Sequence, residues 1–242
     1  MMSRIAIFLI FVQFALVGFS QTVSDTLPKK KGSREIGEFD KKNYKSDPGD
    51  RMLIEILHTG YTGLPANIQQ SSIKSIGVNF SLMFDKPIGK SAFSFGYGLG
   101  IFSHNFHSNA EFVYITDSTV KNTGTRLEPI QRETKLNRYA QKILEMPIEF
   151  RFRTKTDRQF KIHVGFRVGY MLNDFRSVQD KDGKFRTYRI KNINPVRYGA
   201  TFRIGFQQFA FSASYYFSEL FQDNKGPQGI LPYSIGIAII PY

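Results

Sequence analysis

Residues 201–218 read TFRIGFQQFAFSASYYFS. Alternate positions are apolar and mostly aromatic: Phe202, Ile204, Phe206, then Phe209, Phe211, Ala213, Tyr215, Phe217. Between them stand Thr201, Arg203, Gly205, Ala210, Ser212, Ser214 and Tyr216. A period of two is the signature of a β-strand with two unlike faces. In a water-soluble protein the aromatic face is the core, and Gly, Ser and Arg meet solvent. In a membrane barrel the aromatic face meets lipid and the small, polar face fills the interior. The rest of the chain decides between these readings.

The same alternation recurs. Ile76, Val78, Phe80, Leu82 and Phe84 oppose Ser75, Gly77, Asn79 and Ser81. Phe93, Phe95, Tyr97, Leu99 and Ile101 oppose Ser94, Gly96, Gly98 and Gly100. From residue 51 onward the pattern predicts eight strands, at about 51–58, 73–85, 91–103, 142–154, 160–172, 196–206, 209–219 and 231–241. Strand 51–58 has apolar residues in both phases. The connections run long, short, long, short, long, short, long, which is the loop order of an up-and-down barrel with turns on one side of a membrane and loops on the other. The fold expected is therefore all-β: an eight-stranded antiparallel up-and-down transmembrane β-barrel over 51–242. Across the Gln207-Gln208 turn, the faces match if Phe206 pairs with Phe209 and Arg203 with Ser212.

The polar faces carry Glu55, Glu145, Glu149, Arg151, His163, Arg167 and Arg203. An eight-stranded interior has room only for side chains. Small residues beside Glu and Arg are expected to form a buried ionic network there, with individual pairs unassigned. A lipocalin-like soluble binder is the alternative fold. It would have to pack every aromatic face into one small cavity.

The 242 residues include 33 Lys+Arg, 20 Asp+Glu and no Cys. No disulfide framework or thiolate metal site is possible. The formal charge of +13 suits a phosphorylated lipid surface. Residues 1–20 hold Arg4, an apolar run and small Gly18 and Ser20, which predicts a secretory signal peptide cut near Ser20/Gln21. Residues 21–50 are polar and charged, a disordered periplasmic lead-in. Export to the outer membrane makes nucleic acid an improbable partner despite the charge.

The stretches KILEMPIEFRFRT (142–154), FKIHVGFRVGYML (160–172), RYGATFRIGF (197–206) and GPQGILPYSIGIAI (226–239) resemble the PorT-like outer-membrane β-barrel family, a Bacteroidetes-type family. The resemblance covers about residues 51–242. It implies an eight-stranded outer-membrane barrel, whose namesake takes part in protein secretion by the type IX system. No residue of this chain carries that secretion role over.

His58, His104 and His107 could supply a metal site, and Ser103, His104, Ser108 and Asp117 the residue types of a lipid-modifying rim enzyme. Strand two separates His58 from the His104-x-x-His107 pair and no carboxylate partner is near in sequence, and the enzyme set has no defining motif, so no catalytic residue, metal or cofactor is assigned. A narrow ion channel is a third alternative. The long loops 104–141 and 173–195 carry Lys121, Arg126, Arg132, Lys135, Arg138, Arg176, Lys181, Lys184, Arg186, Arg189 and Lys191. They are expected to face lipopolysaccharide phosphates or a protein partner. The function expected is structural or interactive rather than enzymatic, accessory to a surface or secretion assembly.

Overall fold

The computed structural model describes residues 51–71, 73–116, 123–154 and 159–240. They lie in one unit, Lys45–Tyr242. The signal-peptide and lead-in assignments, 1–20 and 21–50, fall outside the described residues, as do Asp117 and Lys121.

Among the described residues eleven strands follow one another: β1 (Arg51–Thr62), β2 (Ile76–Pro87), β3 (Phe93–His107), β4 (Ala110–Thr116), β5 (Thr123–Pro129), β6 (Leu136–Arg153), β7 (Phe160–Gln179), β8 (Lys184–Tyr188), β9 (Val196–Phe206), β10 (Phe209–Tyr216) and β11 (Leu231–Ile239). Eight of them close a ring, β1-β2-β3-β6-β7-β9-β10-β11 and back to β1, every pair antiparallel. The connections alternate as expected. Short turns join β2 to β3, β6 to β7 and β9 to β10, and all other ring connections are long.

The expected eight strands are the ring, but several bounds need correction. β1 runs on to Thr62, β3 to His107 and β7 to Gln179, while β6 already begins at Leu136. These extensions all lie at the long-loop end. There the outward residues turn polar, as with Ser103, Asn105 and His107 on β3, so the contrast that marks a strand in sequence fades while the ladder continues. The segments expected to be loops also contain strands. β4 and β5 pair as a ribbon inside 104–141, and β8 pairs with β7 inside 173–195.

The register across Gln207-Gln208 is the expected one, with Phe206 opposite Phe209, Arg203 opposite Ser212 and Thr201 opposite Ser214. The two-residue turn is closed by Gln207 in the left-handed region at φ 50°. Hairpins of this length favour such a conformation, and Gly or Asn adopts it at least cost. The β3–β6 ladder pairs Tyr97 with Ile148 and resumes at Gly100 with Glu145. The gap lies at Pro147, which has no N–H to donate.

The aromatic rows point outward all round the ring. Leu82, Tyr97, Leu99, Phe150, Val164, Tyr170, Phe202 and Phe211 are all exposed, Leu99 at 54 %. The phase of β1 is now fixed: Leu53, Glu55 and Leu57 point inward, and Ile56 points out. The soluble alternative, with the aromatics as core, is thus not the arrangement of this ring. The interior has two zones. The half toward the short turns is mainly ionic, beside a small apolar cluster of Leu53, Met83, Ala210, Ala238 and Ile240, and the long-loop half combines a larger apolar cluster with buried polar groups. In the latter, Tyr61, Phe106 and Tyr139 of the wall pack against Ile190, Ile193, Leu220, Phe221 and Ile230 from the loops.

Candidate functional site

Each expected interior residue sits on an inward strand position and is buried: Glu55 on β1, Glu145, Glu149 and Arg151 on β6, His163 and Arg167 on β7, and Arg203 on β9. The ring brings all seven together. Glu55 is the hub. One oxygen accepts from Arg203 Nε at 2.8 Å and Ser212 Oγ at 2.6 Å. The other accepts from Asn79 Nδ2 at 2.6 Å and Arg167 at 3.2 Å. Arg167 donates its second nitrogen to Glu145 at 3.2 Å, and Tyr216 Oη donates to the same carboxylate at 2.9 Å. Glu149 pairs with Arg203 and accepts from Arg151 Nε at 2.9 Å, with His163 Nδ1 at 3.7 Å. The carboxylates are thereby bridged across strands that lie far apart in sequence.

Sequence reasoning left out two ionic members. Asp85 pairs with Arg153 and with Arg151 at 3.5 Å. Asp85 continues the inward phase of Ser75, Gly77, Asn79, Ser81 and Met83, so extending that phase by one more position finds it. Gly96 faces the same place: a Cβ built there would land on the Arg151 guanidinium. Glycine there leaves the room that the Arg151 guanidinium occupies, and a larger residue would have to displace it.

A second polar chain was not foreseen at all. Arg197 lies 2.9 Å from His104 Nδ1 and donates to Gln141 Oε1 at 2.6 Å. Tyr61 Oη donates to the same oxygen at 3.1 Å. Gln141 donates to Tyr139 Oη, and Tyr139 donates to Asp174 Oδ2 at 3.0 Å. Asp174 then accepts the N–H of Ile190 at 3.2 Å, which ties the 180–195 connection to the wall. Arg197 shares the inward phase of Arg203, but Gln141 and Asp174 lie where the strands had been read as loop.

Among the described residues the three histidines do not come together. His58 points outward beside Tyr233, with ring centroids 5.9 Å apart, whereas His104 is buried inside. His104 and His107 stand three apart on one strand, so the period of two sends them to opposite faces. Among the described residues no cluster could hold a metal ion. Ser103 and His104 are adjacent and also face opposite ways, so they cannot act on one substrate atom.

What the arrangement does is fill space. Buried guanidinium and carboxylate groups pair with one another at the short-turn end, and aromatic packing with the Arg197–Gln141–Asp174 chain occupies the other. Residues 23–218 match the model of a family described as outer membrane protein beta-barrel domain. No curated protein and no solved structure matches the chain. The chain belongs to the outer membrane protein beta-barrel domain family.

Proposed function

We propose that this protein is exported, spans the outer membrane as a filled eight-stranded barrel, and serves as a scaffold or docking subunit rather than a pore or an enzyme. The observation that carries the reading is the union of an apolar outer belt with a packed interior. Soluble monomers rarely expose contiguous apolar patches beyond a few hundred Å². A belt running through Leu82, Leu99, Phe150, Val168, Phe202, Phe211 and Ile237 encircles the whole ring. Lipid removes the cost of that exposure, and a closed ring leaves no strand edge unpaired in hydrocarbon. The N-terminal apolar segment with small Gly18 and Ser20 supports export.

Two features speak against conduction. Arg167 and Arg203 are buried in ion pairs across the interior, and Leu220, Phe221 and Ile230 close the long-loop end. The long, structured connections then become the working surface. The ribbon β4–β5 is anchored in the apolar cap by Ala110 and Leu127, and β8 is an exposed strand paired with the end of β7. A rigid platform of that kind suits a protein partner. Likeness to the PorT-like family in 142–154, 160–172, 197–206 and 226–239 supports a place beside a surface or secretion assembly of the type IX kind.

The test is mild-detergent extraction of the tagged full chain from native membranes, with partner identification after crosslinking. A stable stoichiometric partner lost on deletion of 110–129 is expected. A monodisperse monomer with no crosslinked partner would contradict the docking role. Planar-bilayer recording of the same material should give no steady conductance.

A further inference from the structure

The outward face just beyond the apolar belt carries charge in a defined array. β6 leaves the belt at Leu144, and its next outward residue is Lys142, opposite Asn173 of β7. Ala140 follows on that face, buried against Phe175, and then Arg138, two residues nearer the start of β6. The register aligns Arg138 of β6, Ser177 of β7 and Arg186 of β8 in one cross-strand row. Phe175 lies on the same face, two residues before Ser177. Both guanidinium groups rest on its ring, Arg138 at 5.5 Å and Arg186 at 5.5 Å from the centroid. Lys184 continues that face of β8 and is exposed.

Three observations mark this as a site awaiting an anion. Among the described residues no carboxylate pairs with Arg138, Lys142, Lys184 or Arg186. Ser177 is 0 % exposed and its Oγ has no hydrogen-bond partner, and the buried Nε of Arg138 has none either. Two cations also converge on one aromatic ring, where their mutual repulsion is unrelieved. Stacking holds them in place, and a planar guanidinium suits paired hydrogen bonds to phosphate oxygens.

Height selects the ligand. Four residues of tilted strand separate Lys142 from Arg138, about 10 Å along the barrel axis. Headgroups occupy a layer of about 5–8 Å beyond the hydrocarbon on each side. Lys142 stands about 5 Å beyond Leu144 and Tyr170, within that layer, and the Arg138 and Arg186 guanidinium groups lean back onto Phe175, opposite Ala140, about 10 Å beyond Leu144 at its outer margin, where they meet the phosphate of a lipid whose chains lie on the belt.

We infer that Arg138, Ser177 and Arg186, with Lys142 and Lys184 flanking them, form a binding site for the phosphate of a phosphorylated lipid in the leaflet at the long-loop end. This rests on the membrane-spanning reading above. The probe is bis-phosphorylated lipid A, with its dephosphorylated form as comparison. Each is added to the full-length protein in detergent, and retained lipid is read by native mass spectrometry. The wild type should retain the phosphorylated form preferentially. The doubly substituted Arg138→Gln, Arg186→Gln variant should retain it about tenfold less. A charge-matched control at the short-turn end, Lys86→Gln with Lys90→Gln, should behave as wild type. A heat-dependent gel shift on each sample reports whether the barrel has formed. Equal retention by a heat-shifting double variant, or equal binding of the dephosphorylated lipid, overturns the inference and leaves the membrane reading standing. Loss of an acidic protein from the double variant with lipid retention unchanged also overturns it, and assigns the patch to a protein. Recovery of the wild type outside the membrane fraction overturns both.

Discussion

Glu55 shows how one side chain organises the interior. Its carboxylate accepts from Arg203, Arg167, Ser212 and Asn79 while wholly buried. Replacing it by alanine leaves two guanidinium groups without their shared counter-ion. Breaking a buried pair by removing one partner costs about 3–5 kcal/mol. Glu55→Ala should therefore lose that much stability in urea titration of the detergent-solubilised protein. A loss below about 1 kcal/mol would mean that water reaches the interior and screens the charges. The identity of these residues was legible because charge on the inward phase of a narrow ring has nowhere else to go. Their pairing was not, since Glu55 meets Arg203 and Arg167 only once the ring closes. Gln207 makes a second prediction at this scale. It holds φ 50° in a two-residue turn, so Gln207→Gly should raise stability by about 0.5–1 kcal/mol. No change in the unfolding midpoint would mean that the turn relaxes.

Among the elements, the belt and the cap behave differently. Leu99 sits mid-strand on β3, pointing out. An arginine there faces lipid in this account and should destabilise by about 2–4 kcal/mol in refolding into lipid vesicles. On a water-facing wall the same change stays within about 0.5 kcal/mol. Phe221 is fully buried among the connections that close the long-loop end. Phe221→Ala should leave the ring intact but loosen that cap, because the apolar cluster can open without the strand ladder. Limited proteolysis should then cut within 180–195 or 217–230 while the ring fragment stays folded. Resistance equal to wild type would mean the cap is held chiefly by hydrogen bonds such as Asp174 to Ile190. The elements of the belt were readable to within a few residues because apolar and polar positions alternate sharply there. β4, β5 and β8 were not. β4 (AEFVYIT) carries apolar residues in both phases, β5 (TGTRLEP) is short with one large apolar residue, and β8 (KFRTY) is exposed throughout and is defined by its pairing with β7.

For the molecule as a whole, the order of connections carried the topology. Short and long links alternate, and that sequence-visible fact corresponds to the observed ring in which each strand pairs with its chain neighbours and β1 closes on β11. The filling of the long-loop end was invisible, since Ile190, Leu220 and Ile230 come from connections that carry no periodic signal. In the proposed membrane-spanning state, the aromatic face of TFRIGFQQFAFSASYYFS meets lipid around a closed, filled ring. The most direct test separates outer membranes from the soluble periplasmic fraction of cells making the full chain. Boiled and unboiled samples are then compared on a denaturing gel. Recovery with the outer membrane and a change in apparent size on boiling, the mark of a ring that detergent alone does not open, are expected. Recovery in the soluble fraction, with identical migration before and after boiling, would contradict the membrane-spanning state.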